Sequence, residues 1–184
     1  MIPGIIIGVF ILLIVLMYNS IIKKKNQVAN AFGGMDVQLK KRYDLLPNLV
    51  ASVQEYMKHE KELLTKVTEL RSAAMQPNIT TKEKMQINNE LDGALKSLNV
   101  AIENYPEIKS NGNIMHLQQT LLTVEEQIAA SRRFYNSAVT EYNNAIMVFP
   151  GSLISSIFNF KKEEVFEARE EERQNVDVKD LFNQ

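Results

Sequence analysis

Residues 5–22 read IIIGVFILLIVLMYNSII, and no charged side chain appears before Lys23. Every residue from Ile5 to Met17 is apolar. As a helix, about 18 residues rise roughly 27 Å, close to the ~30 Å hydrocarbon thickness of a bilayer. The run is built from Ile5, Ile6, Ile7, Val9, Phe10, Ile11, Leu12, Leu13, Ile14, Val15 and Leu16. Each such side chain favours insertion by about 0.3–0.6 kcal/mol at the helix centre, which together outweighs the polar trio Tyr18-Asn19-Ser20. A buried core helix and a cleaved signal peptide are the alternatives. The signal-peptide reading lacks a basic residue before the run and an A-x-A site before the lysines. The stretch predicts a single-pass anchor, with membrane lipid as its first partner.

Lys23, Lys24 and Lys25 follow the run directly. Positive charge stays on the cytoplasmic side, so the spacing predicts a translocated N-terminus and a cytoplasmic domain at a bacterial inner membrane. The remaining chain suffices for one ordinary domain. We expect an anchor with its lysine flank at 1–25, a helical bundle at 26–160, and a charged segment and tail at 161–184. A formal net charge of −1 gives no basic surplus for nucleic acid. Cys is absent, which removes disulfides, thiol catalysis and thiolate metal sites. Seven Gly and five Pro in 184 residues suit long helices and few turns, an all-α fold.

Past the lysines, Val28, Met35, Leu49, Tyr56, Leu63 and Leu70 fall on a seven-residue period. Four residues on, Phe32, Leu39, Leu46, Val53, Val67 and Ala74 form a second line. Alternating +4 and +3 spacing makes one stripe on one helix, here from Val28 to Ala74, roughly 70 Å. Length of that order predicts coiled-coil-like packing. Arg42 interrupts the first line and Glu60 the second. They lie about 27 Å apart along a helix and cannot pair with each other. Each either finds a partner on a neighbouring helix or subunit, or reaches water from the stripe edge. Pro47 lacks an N–H and clashes with the Tyr43 carbonyl, which predicts a kink or break, with Asp44 and Asn48 beside it as local hydrogen-bonding groups.

Gln76-Pro77-Asn78-Ile79 reads as a turn, and Thr80 with Glu83 has capping-box spacing. The second helix carries Ile87, Leu91, Ala94, Leu98, Ala101 and Tyr105; Asn111-Gly112-Asn113 is the next turn, with Asn113 as N-cap. The third helix, from Ile114 to Phe149, alternates large and small residues in its second half: Tyr135, Tyr142 and Phe149 against Ser131, Ala138 and Ala145. Tyr135-Asn136 and Tyr142-Asn143 recur seven residues apart, either as a register-fixing polar seam or as surface Asn beside core Tyr. Phe149-Pro150-Gly151 ends the helix. Ser152 to Phe160, with Leu153, Ile154, Ile157 and Phe158, forms a short apolar helix whose place is the bundle, the membrane surface or another subunit.

Chemistry is hard to find. His59 and His116 stand far apart, and the residue four after His59 is Leu63, so no zinc-protease motif starts there. No Glu-x-x-His pair, phosphate loop or Gly-x-Ser-x-Gly occurs. We expect no catalysis, no cofactor, no metal site and no small-molecule substrate.

Four stretches resemble the LemA family of bacterial membrane proteins: QLKKRYDLLPNLVASVQEYMKHE from Gln38, YPEIKSNGNIMHLQQTL from Tyr105, EEQIAASRRFYNSAVTEYNNAI from Glu125 and FPGSLISSIFNFKKEEVFE from Phe149. The likeness spans nearly the whole chain in order. It departs at Gln54, where a basic residue is common, and in the tail, which lacks a Pro before Val-Asp-Val. The resemblance implies an up-and-down helical bundle on a single anchor, with no known reaction. Arg42, Asp44, Pro47, Asn48, Arg132, Arg133, Tyr135 and Asn136 match motif positions to which the family assigns no chemical role. The expected function is a membrane-anchored scaffold that forms homo-oligomers. The alternative is an adaptor or regulator of a membrane protease or envelope-stress partner, a membrane protein docked on the bundle.

Overall fold

Fifty-two residues in one unbroken α-helix, α1 (Ile2–Val53), carry the chain from the apolar run into the folded domain. The computed structural model describes residues 2–166. After α1 come α2 (Lys61–Ala74), α3 (Thr81–Ile102), α4 (Pro106–Ser110), α5 (Gly112–Met147) and α6 (Gly151–Phe158). No strand occurs among the described residues, and the fold is all-α. The expected tail lies mostly in 167–184, outside them.

The apolar run is long and apolar enough to cross a membrane, with a mean hydropathy of 2.8, and almost nothing covers it. The large apolar side chains from Ile5 to Leu13 stand at least half exposed. From Ile21 onward α1 is buried at heptad spacing: Val28, Met35, Leu39, Arg42, Leu46, Leu49 and Val53. The helix runs through Pro47 without ending. Pro47 removes the N–H that the Tyr43 carbonyl would accept from. Arg71 Nε, from α2, donates to that carbonyl at 2.7 Å instead. The freed acceptor is satisfied from outside the helix, and Asp44 and Asn48 point outward, exposed.

The expected single helix from Val28 to Ala74 is wrong. α1 stops at Val53, residues 54–60 turn, and α2 runs back along α1, with Arg71 beside Tyr43 and Thr68 beside Val50. Glu60 is the physical reason, because a continued helix would place its carboxylate in the core seam. Met57 turns inward in its place, 1 % exposed, with its N–H donating to the Val53 carbonyl at 2.9 Å. Glu60 becomes the residue before α2 and accepts the Tyr105 hydroxyl at 2.6 Å. Tyr56, expected on the stripe, is exposed.

α3 opens with the expected capping box, Thr80 Oγ1 accepting from Glu83 N–H and Glu83 accepting from Thr80 N–H. It runs parallel to α1: Lys84 pairs with Asp36, Asn88 meets Tyr43, and Asp92 meets Arg42. α5 runs antiparallel to α1, with Glu125 at Arg42, Tyr135 at Phe32 and Glu141 at Lys24. The domain portion of α1 with α2, α3 and α5 thus forms an up-down-up-down bundle around Met35, Leu39, Leu46, Leu91, Leu98 and Ile128. The α5 N-cap is Asn111, accepting from Asn113 and Ile114, so the expectation of Asn113 was two residues late. α5 also ends at Met147, and Phe149 leaves the expected stripe to stand 74 % exposed.

α6 docks through Gly151 and Ile154, while Ser155 Oγ donates to the Ile146 carbonyl at 2.9 Å. A side chain at position 151 would collide with the Ala145 carbonyl, which explains glycine there.

Candidate functional site

Arg42 is fully buried at the level where α1, α3 and α5 meet. One terminal nitrogen donates to Asp92 and to Glu125, the latter at 2.9 Å, and the other donates to Asn88. The Tyr43 hydroxyl donates to Asn88 Oδ1 at 2.9 Å. Asp92 is shared, since Arg132 of α5 reaches its second oxygen at 2.8 Å. Glu125, Arg42, Asp92 and Arg132 therefore form a chain of alternating charge across three helices. Burying a guanidinium is tolerable only with such compensation. Its Nε has no hydrogen-bond partner among the described residues.

The chain of charge continues into the segment after α6. The Arg132 guanidinium sits 4.2 Å from the centroid of the Phe166 ring, a cation–π contact, and Phe166 is buried. Asn136 grips the same residue, accepting its N–H at 2.7 Å and donating to its carbonyl at 2.8 Å. Asn143 repeats this at Glu163, at 3.0 and 2.9 Å. The hydroxyl of Tyr135 donates to the Glu164 carbonyl and that of Tyr142 to the Lys161 carbonyl. Seven residues of helix rise about 10.5 Å, while three residues of chain reach at most roughly 10–11 Å. A heptad on α5 thus matches three residues of a nearly stretched chain, and the two Tyr-Asn pairs act as successive rungs. Burial, then the Glu163 and Glu164 carboxylates, push the Tyr135 hydroxyl up to about 12. Burial and Glu163 push Tyr142 in the same direction.

The motif residues of the sequence thus divide. Arg42 and Arg132 meet through Asp92, and Tyr135 and Asn136 hold the final segment. Asp44, Pro47, Asn48 and Arg133 are exposed and not drawn to that node. Glu60 lies apart, on Tyr105. Ile157 and Phe158 are exposed at the opposite, anchor-side end, where Phe158 packs on Tyr18 with ring centroids 4.8 Å apart. Sequence reading missed Asn88, Asp92, Glu125 and Arg71. Asn88 and Asp92 carried a signal, one helical turn apart on the face that also holds Met85 and Leu91. Arg71 carried none.

Chemically the node is closed, because its charges spend themselves on one another. Both histidines are exposed, and no group of three metal-ligating side chains converges among the described residues. Where α3 and α5 diverge, a cleft of about 460 Å3 opens between Leu95, Ile102, Met115 and Leu122.

The sequence model of the LemA family matches residues 31–179. Protein LemA of Metamycoplasma hominis is 26% identical over 177 residues, covering 96% of this chain and 81% of that protein. Magnetosome protein MamQ 2 of Paramagnetospirillum magneticum is 34% identical over 76 residues, 41% of this chain and 28% of its own length. Magnetosome protein MamQ of Magnetospirillum gryphiswaldense is 33% identical over 73 residues, 40% and 27% respectively. The family is not a known enzyme family. The match takes in the Arg42 node, the Tyr-Asn rungs and the segment they hold, and with more than half of its length inside it the chain belongs to the LemA family.

Proposed function

We propose that this chain is a non-catalytic, membrane-anchored helical scaffold that self-associates in the plane of the bacterial inner membrane, its domain on the cytoplasmic side. The carrying observation is that anchor and bundle share one helix, α1, with no joint between them. Copies inserted in one bilayer then present their bundles in the same orientation, which raises the effective concentration for side-by-side contact. Closed cyclic assembly satisfies each copy's interface. Apolar residues left outside the core, among them Val100, Met115, Leu122 and Phe134, supply contact surface. Lys23 to Lys25 support the cytoplasmic placement.

Mass photometry of the full-length protein in detergent tests the reading. A species several times the 21.0 kDa chain mass, stable on dilution, is expected. Monomer at every dilution removes self-association and leaves the adaptor reading, in which the α3–α5 cleft receives a membrane-protein partner.

A further inference from the structure

Nineteen residues separate Glu141 from the next charge, Lys161. Within that stretch Met147, Val148, Phe149, Leu153, Ile157 and Phe158 are each about half to three-quarters exposed. An amphipathic surface helix buries one face and shows water the other. α6 does not: Gly151 and Ile154 face the bundle, while Leu153 and Ile157, one turn apart, face outward and are equally apolar.

The position of this patch follows from the anchor. Lys24 pairs with Glu141 at 3.0 Å, which sets the level at which α1 leaves the span. From Glu141, α5 continues antiparallel to α1 for six more residues, about 9 Å back along the anchor. Its end lies against the span itself, since Met17, Ser20 and Ile21 share a shallow cleft with Asn144, Val148 and Phe149. Tyr18 packs on the rings of Phe158 and Phe160, at 4.8 and 5.8 Å. A surface that touches Met17 and Tyr18 sits one to two turns inside Lys23. If residues 5–22 lie in hydrocarbon, this surface is not in water.

We propose that the α5–α6 corner is a second membrane element, lying in the headgroup–acyl boundary of the leaflet from which the anchor emerges. Its occupant is lipid. Phe149, Leu153, Ile157 and Phe158 face the acyl chains, while exposed Lys161 and Lys162, with Lys23 and Lys25, border the patch at the level of anionic phosphates. The assignment rests on the reading of residues 5–22 as a span. The corner then fixes the tilt of the bundle, because the protein meets the bilayer at two places rather than one.

The Cys-free chain allows a direct test. Single cysteines at Leu12, Ile157 and the exposed Gln76, each carrying an environment-sensitive fluorophore, are placed in the full-length protein. The protein is reconstituted in vesicles of phosphatidylethanolamine and phosphatidylglycerol, with brominated acyl chains as lipid quencher and iodide on both sides as aqueous quencher. The label at position 157 should emit blue-shifted, be quenched by bromines placed near the glycerol, within about 5–10 Å of the boundary, and resist iodide. The label at position 76 should respond to iodide alone. Iodide access at 157 together with lipid quenching at 12 overturns the second element and leaves the span intact. Shielding of 157 from both quenchers also overturns it, since a second copy then covers the patch. Iodide access at 12 overturns the span and the corner with it.

Discussion

Replacing Arg42 by methionine removes the positive charge that Glu125 pairs with among the described residues and leaves Asp92 with Arg132. Breaking a buried pair from one side costs about 3–5 kcal/mol. Asp92 keeps Arg132 and Glu125 is 35 % exposed, so we expect about 3 kcal/mol for Arg42→Met, read from chemical unfolding in detergent. Adding Glu125→Gln, which neutralises the carboxylate left unpaired while Asp92 keeps Arg132, should recover most of that loss, and if the double variant is no more stable than the single, the charges are not what holds the node. Pro47 and Arg71 give an independent test in the same molecule. Arg71→Met should cost about 1–3 kcal/mol, because the Tyr43 carbonyl loses its donor. In a Pro47→Ala background position 47 regains an N–H for that carbonyl, and the Arg71→Met cost should shrink. A double-mutant cycle with zero coupling would separate the two residues.

At the scale of elements, the Tyr-Asn rungs make the hold on residues 161–166 dependent on pH. Folded Tyr135 binds its proton more tightly than the ordinary value of 10.0, so its contribution is complete below pH 10 and is lost as pH climbs through about 12. Once ionised, its oxygen no longer donates to the Glu164 carbonyl and faces two carboxylates. Stability measured against pH should fall across that window, and Tyr135→Phe should flatten the fall. An identical slope in the variant would place the effect elsewhere. Helices with caps and turn residues were legible in advance: the capping box at Thr80, the turn at Pro77 and the core lines of α3 and α5 all follow from spacing. The turn at 54–60 was not, because it contains no Gly or Pro and the heptad runs straight across it. A seven-residue period looks the same whether one helix continues or a second resumes in phase. The partners of Arg42 were hidden for a different reason, since pairing across three helices depends on which faces meet. The Tyr-Asn repeat was visible, but what it grips is an irregular segment with no periodicity of its own.

For the whole molecule, the sidedness of the domain is the property that every copy must share. Cysteines at Gln76, exposed between α2 and α3, and in the tail should stay unlabelled by impermeant maleimide in intact cells and react after lysis. Labelling of both before lysis would put the bundle outside. The rungs on α5 also impose an order in time. Asn136 and Asn143 are synthesised 30 and 20 residues before the partners they hold. While translation proceeds, their amides and the two tyrosine hydroxyls stand ready beside helices that are already complete, on a chain already tethered by its first residues. Residues 161–166 then enter after the helices they dock on, their short tether favouring the chain's own segment. Until residues 161–166 arrive, the amides of Asn136 and Asn143 lack the backbone groups they hold, so the domain closes only once the chain beyond α6 has been made.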